Sequence, residues 1–150
     1  MVDTTNGPIV QRLKAARLRP TRQRVALAGL LFAKGDRHVT AEQLHQEALA
    51  ETVRVSLATV YNTLHQFTAA GLLREVVVEA GRSYFDTNVS DHHHFFLVDG
   101  GQLVDIAGEH VAVGSLPAAP DGTIVERVEV IIRLRNRAQA EAERAKPSRH

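Results

Sequence analysis

The hydrophobic pattern of this chain changes period at Gly71, and that change limits what it can fold into. Upstream, Leu57, Val60, Leu64 and Phe67 recur at helical spacing, with Ser56 placed as an N-cap and Gly71 as a C′ glycine. This predicts a helix over 57–70. Downstream, residues 73–78 and 83–86 alternate about the turn Glu79-Ala80-Gly81-Arg82, as a hairpin does. Three further helices are predicted ahead of them. The first covers 9–17, with Ile9, Val10, Leu13 and Ala16 on its apolar side, and Leu18-Arg19-Pro20 ends it. The second starts at the cap Thr21 and runs to about Phe32, with Val25, Leu27, Leu30 and Leu31 suited to burial. After the Gly35-Asp36 turn, Thr40 and Gln43 form a capping box for a third helix carrying Leu44, Ala48 and Leu49.

Helices followed by a hairpin give the order of a winged helix-turn-helix. A helical bundle with a polar outer face is the alternative on pattern alone. The polar face of the fourth helix carries Thr59, Asn62, Thr63 and Gln66, with Tyr61 at its edge and no acid. Such a face suits base edges in a major groove. Residues 12–24 hold six Lys or Arg (Arg12, Lys14, Arg17, Arg19, Arg22, Arg24) and no acid, which favours phosphate contacts.

The second half is marked by His92-His93-His94 ahead of Phe95-Phe96-Leu97-Val98. If the triplet lies at the mouth of a strand, His92 and His94 share one face and His93 points with Asp91 to the other. Imidazoles on both faces allow two metal sites, whereas a solvated polar loop is the plain alternative. Residues 95–98 and 103–106 flank Asp99-Gly100-Gly101-Gln102, a hairpin turn. A long strand is expected over 124–135, with Ile124, Val128, Val130, Ile132 and Leu134 on one face. Three strands with one apolar face make a poor independent core, so a second copy is expected to cover it. Residues 137–150 read as a frayed helix and a flexible tail.

Charge and cysteine usage narrow the chemistry. Residues 1–82 carry a net charge of +4 and residues 83–150 a net of −3, a basic half followed by an acidic, His-containing one. There is no cysteine among the 150 residues, which excludes disulfides, thiolate zinc, iron–sulfur clusters and thiol redox sensing. No run approaches the roughly 18 apolar residues of a membrane span, and no signal pattern opens the chain. A cytoplasmic protein without a membrane partner is expected.

Four ordered stretches carry a resemblance. Val55-Ser56-Leu57-Ala58-Thr59-Val60-Tyr61-Asn62-Thr63-Leu64 resembles the recognition helix of the ferric uptake regulator family. Leu18-Arg19-Pro20-Thr21-Arg22-Gln23-Arg24, His38-Val39-Thr40-Ala41-Glu42-Gln43-Leu44 and Asp91-His92-His93-His94-Phe95-Phe96 resemble three more of its segments, in order. The chain departs where relatives often carry Cys-x-x-Cys. Leu97-Val98-Asp99-Gly100 stands there, so cysteine-ligated structural zinc is excluded. Asn62 replaces a usual Arg, which implies a different base preference. Gly114-Ser115-Leu116-Pro117-Ala118-Ala119-Pro120 cannot form the family's usual helix. Without cysteines, and with this late strand pattern, the chain is most similar to the iron response regulator branch. That branch responds to haem and controls haem and iron genes in α-proteobacteria.

The resemblance implies an α+β protein. A winged helix-turn-helix domain (1–86) would precede a small α/β dimerization and sensing domain (87–136), with the tail at 137–150. It implies a homodimeric, non-enzymatic regulator, mainly a repressor, that binds a double-stranded DNA operator according to iron status. Arg19, Ser56, Ala58, Thr59, Tyr61 and Asn62 are its candidate DNA contacts. It places His38, Asp86 and Asp105 beside His92 and His94 as ligands of a divalent metal. A set of imidazoles and carboxylates without sulfur favours Fe²⁺ or Mn²⁺, although Zn²⁺ would also bind. Asp91, His93, Glu109 and His110 form a second candidate set, weakened by a cation, Arg127, at the late-strand position. Haem ligated by His92, His93 or His94 is a further expectation. Two alternatives remain: a peroxide sensor of the same family, in which bound Fe²⁺ oxidises His38 or His92, and a metal-dependent hydrolase, for which no catalytic motif is found.

Overall fold

Thr21, Thr40 and Ser56 each open a helix by accepting the backbone N–H three residues on, from Arg24 at 3.2 Å, Gln43 at 3.1 Å and Thr59 at 3.1 Å. The Gln43 side chain returns the bond to the Thr40 N–H at 2.9 Å, completing the capping box. In the computed structural model, which describes residues 6–79 and 81–146, the helices are α1 (Gly7–Ala15), α2 (Arg22–Phe32), α3 (Ala41–Ala50), α4 (Leu57–Ala69) and α5 (Arg137–Ala145). The strands are β1 (His38–Val39), β2 (Arg74–Glu79), β3 (Arg82–Asp86), β4 (His92–Leu97), β5 (Gln102–Ala107) and β6 (Ile131–Leu134). The protein is α+β and divides into two units, Met1–Val89 and Ser90–His150.

The first unit is a winged helix. Its sheet has the order β1-β3-β2, with β2 and β3 as the wing hairpin. Its core is built from Leu13, Leu27, Leu31, Leu44, Val60, Leu64, Phe67 and Phe85, all at most 1% exposed. Gly71 adopts a φ of +82° after the Ala70 C-cap, the left-handed conformation in which a glycine carries no Cβ penalty. Four local expectations change. Helix α1 spans 7–15 rather than 9–17: Pro8 sits in its first turn, where a missing N–H costs nothing, and Arg17 turns to a φ of +62°. Thr63 is 5% exposed and belongs to the core side of α4. Leu57 is only half-buried and Leu49 is exposed, because each stands near one end of its helix. The two-residue strand β1 was not expected at all, since a pair of residues has no period. Within the Glu79-to-Arg82 turn, Ala80 lies outside the described residues.

The second unit is a three-stranded sheet of order β5-β4-β6, with β4 antiparallel to β5 and parallel to β6. The hairpin turn forms as expected, with Gly101 at a φ of +64° and its N–H bonded to the Leu97 carbonyl at 2.8 Å. The histidine triplet opens β4 as expected, forming its first half, and each of the three residues is paired with β5. The long strand expected over 124–135 shrinks to Ile131–Leu134, and Ile124 is 90% exposed. Strand geometry persists only where a neighbouring backbone takes up the N–H and C=O groups, and β6 has that neighbour from Ile131 to Leu134, alongside β4. Residues 137–145, expected as a frayed helix within a flexible tail, form the helix α5, capped by the Asn136 side chain on the Gln139 N–H at 3.3 Å. Residues 147–150 lie outside the described residues.

Candidate metal centre and nucleic-acid interface

Strand alternation puts His92, His94 and Phe96 on the buried face of β4, with His93 on the other. Register puts Asp105 of β5 directly opposite His94. The Nε2 atoms of His92 and His94 lie 3.5 and 3.3 Å from Asp105 Oδ1, and the two rings are 4.5 Å apart. One ligand atom from each of the three residues falls within 4.8 Å of the others. The His92 ring has a fixed tautomer. Its Nδ1 is 2.7 Å from the Ser90 carbonyl oxygen, which can only accept, so the proton is on Nδ1. Its Nε2 lone pair then faces a carboxylate oxygen. Two electron-rich atoms at that range call for a cation between them, a proton or a metal. A ligand histidine held through its other nitrogen to a carbonyl is the usual support of a metal site.

The first unit assembles a second fragment. β1 pairs with β3 so that His38 stands opposite Asp86, and β2 brings the buried Arg74 opposite Asp86 from the other side. Asp86 is fully buried and accepts the Asn88 N–H at 2.9 Å. The His38 ring meets Tyr84 edge-on at 6.1 Å. This short strand is stapled at its start. Arg37 N–H donates to Thr87 Oγ1 at 2.8 Å, and Thr87 N–H donates to the Arg37 carbonyl at 2.9 Å. The Arg37 guanidinium grips Glu47 of α3 at 2.8 and 2.6 Å and donates to the Leu30 carbonyl at 3.1 Å. That hydrogen bond to Glu47 raises the Arg37 pKa further above its ordinary value. Arg37, Glu47 and Thr87 were missed at the sequence level. Their partners lie 10 and 50 residues away, where no local spacing rule reaches.

The other expected ligands do not gather. Among the described residues, Asp91, His93, Glu109 and His110 form no cluster of converging ligand atoms. Glu109 and His110 lie exposed in a 3-10 turn, 4.0 Å apart. His93 Nδ1 accepts the Val130 N–H at 3.0 Å, which leaves its proton on Nε2 and no lone pair for a metal or a haem iron. Arg127 pairs with Glu129 at 3.1 Å.

On α4, the solvent side presents Ala58, Tyr61 and Asn62. The Ser56 hydroxyl donates to the Thr59 hydroxyl oxygen at 2.9 Å, a bond that does not use the Thr59 hydroxyl proton. The Tyr61 hydroxyl donates to Glu42 of α3 at 2.7 Å. So an acid does reach the edge of this face, though none lies in α4 itself. Arg19 is exposed on the turn between α1 and α2. Arg24, expected among the phosphate-contacting cations, instead ties that turn to α4. Its Nη1 donates to the Arg19 carbonyl and its Nη2 to Gln66 Oε1, both at 3.0 Å. No helix among the described residues is long and apolar enough to cross a membrane.

The ferric uptake regulator of Bordetella parapertussis is 33% identical over 97 residues, covering 63% of this chain and 70% of that protein. Solved structures agree in fold. The ferric uptake regulator of Vibrio cholerae superposes with a TM-score of 0.67 at 22% identity, over 85% of this chain and 99% of that one. The ferric uptake regulator of Pseudomonas aeruginosa, solved with manganese, gives a TM-score of 0.63 at 24% identity, over 85% and 96%. The family model of ferric uptake regulators matches residues 15–120. With its winged helix, its His/Asp cluster and these matches, the chain belongs to the ferric uptake regulator family of metal-responsive transcriptional regulators.

Proposed function

We propose that this protein is a homodimeric repressor whose grip on operator DNA depends on a divalent cation held by His38, Asp86, His92, His94 and Asp105. The observation that carries the reading is the convergence of His92 and His94 on Asp105, with the His92 tautomer fixed by Ser90. Two imidazoles and a carboxylate suit Fe²⁺ or Mn²⁺, and Zn²⁺ also fits. His38 and Asp86 enter as ligands because they share one register position in the first unit and Asp86 precedes His92 by only six residues. A cation held by residues of both units would couple its binding to the setting of the DNA-reading helix. The second copy is supported by the outer face of the second sheet. There Phe95, Leu97, Val104, Ile132 and Leu134 share one side, and the last three are 37–39% exposed. DNA contact falls to Arg19, Ser56, Ala58, Thr59, Tyr61 and Asn62.

Placement in the iron response branch is part of this proposal, supported by the absent cysteines together with His92-His93-His94-Phe95-Phe96 and the late strand pattern. Haem comes second to a cation as the signal, because ligation through His93 would cost it the Val130 bond. Calorimetric titration of the metal-stripped chain with Mn²⁺, with haem as a separate arm, tests the reading. Wild type should bind Mn²⁺ stoichiometrically and hold DNA more tightly for it, whereas a His92→Ala/His94→Ala variant should do neither. Anomalous scattering from a principal cation elsewhere refutes the site. DNA affinity that answers to haem and not to Mn²⁺ replaces the signal. Oxygen added to His38 or His92 in the Fe²⁺ form after peroxide treatment, seen by mass spectrometry, points to the peroxide-sensing reading.

A further inference from the structure

We propose that Glu42 and His65 are positioning residues for Tyr61, fixing its ring so that α4 reads a base through an apolar ring edge rather than through the phenol hydroxyl. The inference rests on the DNA-reading role proposed for Tyr61. Two contacts hold that side chain. Its hydroxyl, which has one proton to give, donates it to Glu42 Oε1 at 2.7 Å. Its ring lies nearly parallel to His65, one helical turn on, with centroids 6.4 Å apart and an interplanar angle of 19°. His65 is itself backed edge-on by the buried Phe85 at 5.5 Å, and its Nδ1 stands 3.9 Å from Glu75 Oε2. Glu42, Tyr61, His65, Glu75 and Phe85 line one cleft between α3, α4 and the wing hairpin.

The chemistry follows from that frame. A phenol O–H bound to a carboxylate makes a charge-assisted bond, and the hydroxyl has no second proton for a base acceptor. The bond holds the Glu42 pKa below its ordinary value, so the acceptor is ionised at neutral pH. Tyr61 then has no proton left for a base: its phenol oxygen can act only as an acceptor, and its ring finds its partner on a base edge in the thymine C5-methyl, the contact that a uracil substitution isolates. A ring already fixed on two sides loses little freedom on binding, and that saving goes to the sequence that fits it. Glu42 also repels phosphates, but that repulsion is independent of sequence and cancels in a ratio of affinities.

The test uses the full-length protein at one salt concentration. The probes are a duplex selected by the wild-type protein from a random pool and a scrambled duplex of the same composition. Tyr61→Ala should lower the affinity ratio on the order of tenfold. Glu42→Ala and Tyr61→Phe should each lower it by a smaller factor, and together no further, since both remove one bond. Glu42→Gln keeps a neutral acceptor and should restore the ratio, which a purely electrostatic role for Glu42 would not allow. His65→Ala should lower the ratio with an unchanged melting temperature, as its ring is exposed. Replacing thymine by uracil in the selected duplex should weaken wild type and leave Tyr61→Ala unmoved. Full discrimination in Glu42→Ala and Tyr61→Phe, beside a loss in Tyr61→Ala, overturns the positioning role and spares the reader. Full discrimination in Tyr61→Ala overturns both.

Discussion

Replacing Glu47 by Ala should loosen the strand that carries His38, because Glu47 holds Arg37 and Arg37 holds Thr87. The pair makes two charge-assisted bonds, at 2.8 and 2.6 Å, between side chains that are 28% and 37% exposed. Solvent screening therefore counts. A fully exposed pair is worth about 0.2–1 kcal/mol, and breaking a fully buried one costs about 3–5 kcal/mol. A half-buried bidentate pair falls between, so the expected loss is about 1–2 kcal/mol. In a unit of this size that lowers the melting temperature by roughly 5–10 °C. Glu47→Gln keeps one acceptor without its charge and should lose about half as much. Arg37 would retain the Leu30 carbonyl at 3.1 Å, which limits the damage. The assay is scanning calorimetry of the metal-stripped protein beside Mn²⁺ titration. Weaker Mn²⁺ binding should accompany the lower melting temperature, since β1 sets His38 opposite Asp86. A Glu47→Ala protein that melts within about 1 °C of wild type would refute the staple.

Other consequences are direct. Thr40→Ala removes the capping box and should cost about 1 kcal/mol by urea denaturation; an unchanged midpoint would mean the cap adds nothing. Arg19→Ala should weaken binding to operator and random DNA alike and lower the salt slope by about one unit; a selective loss on the operator would make Arg19 a reader. The Tyr61 hydrogen bond lowers the Glu42 pKa, so the contribution of that bond is whole above the ordinary glutamate range and is lost only as pH falls through the lowered value. Carboxyl-carbon NMR should give Glu42 a midpoint below that of a free glutamate, and a midpoint at or above it would contradict the bond. Sedimentation of metal-stripped protein should find a dimer, and a folded monomer at micromolar concentration would remove the second copy from the account.

Much of the winged helix was legible because its signals are short-range. A cap hydroxyl and the N–H it accepts lie three residues apart, and Gly71 follows its helix directly, so Thr21, Thr40, Ser56 and Gly71 can be read one at a time. The alternation of His92, His93 and His94 was equally local. Thr63 was misassigned because a hydroxyl with a methyl group suits either face of α4, and only packing decides. The Arg37–Glu47–Thr87 staple, the Arg24 bridge to Gln66 and the approach of Glu42 to Tyr61 join residues 10 to 50 apart. No periodicity announces such pairs, because each is created by the fold that brings two helices or two strands together.

The stretch from 124 to 134 shows where sequence pattern ends and structure begins. Its alternation is genuine: Ile132 and Leu134 stand level with Phe95 and Leu97 of β4 and share a face with them. Yet alternation fixes only which side chains could point together. Whether the backbone becomes a strand depends on a neighbour for its N–H and C=O groups. Beside β4, residues 131–134 have one. At residue 130 the ladder gives way to single bonds, from the His94 N–H to the Val130 carbonyl at 3.2 Å and from the Val130 N–H to the His93 ring at 3.0 Å. Further upstream, Ile124 and Val125 are exposed at 90% and 53%, a costly place for two β-branched side chains in water. A second copy of the chain would supply a backbone edge to complete the strand and an apolar face to cover Val104, Ile132 and Leu134. The pattern that fails as a strand within one chain is therefore itself an argument for the dimer.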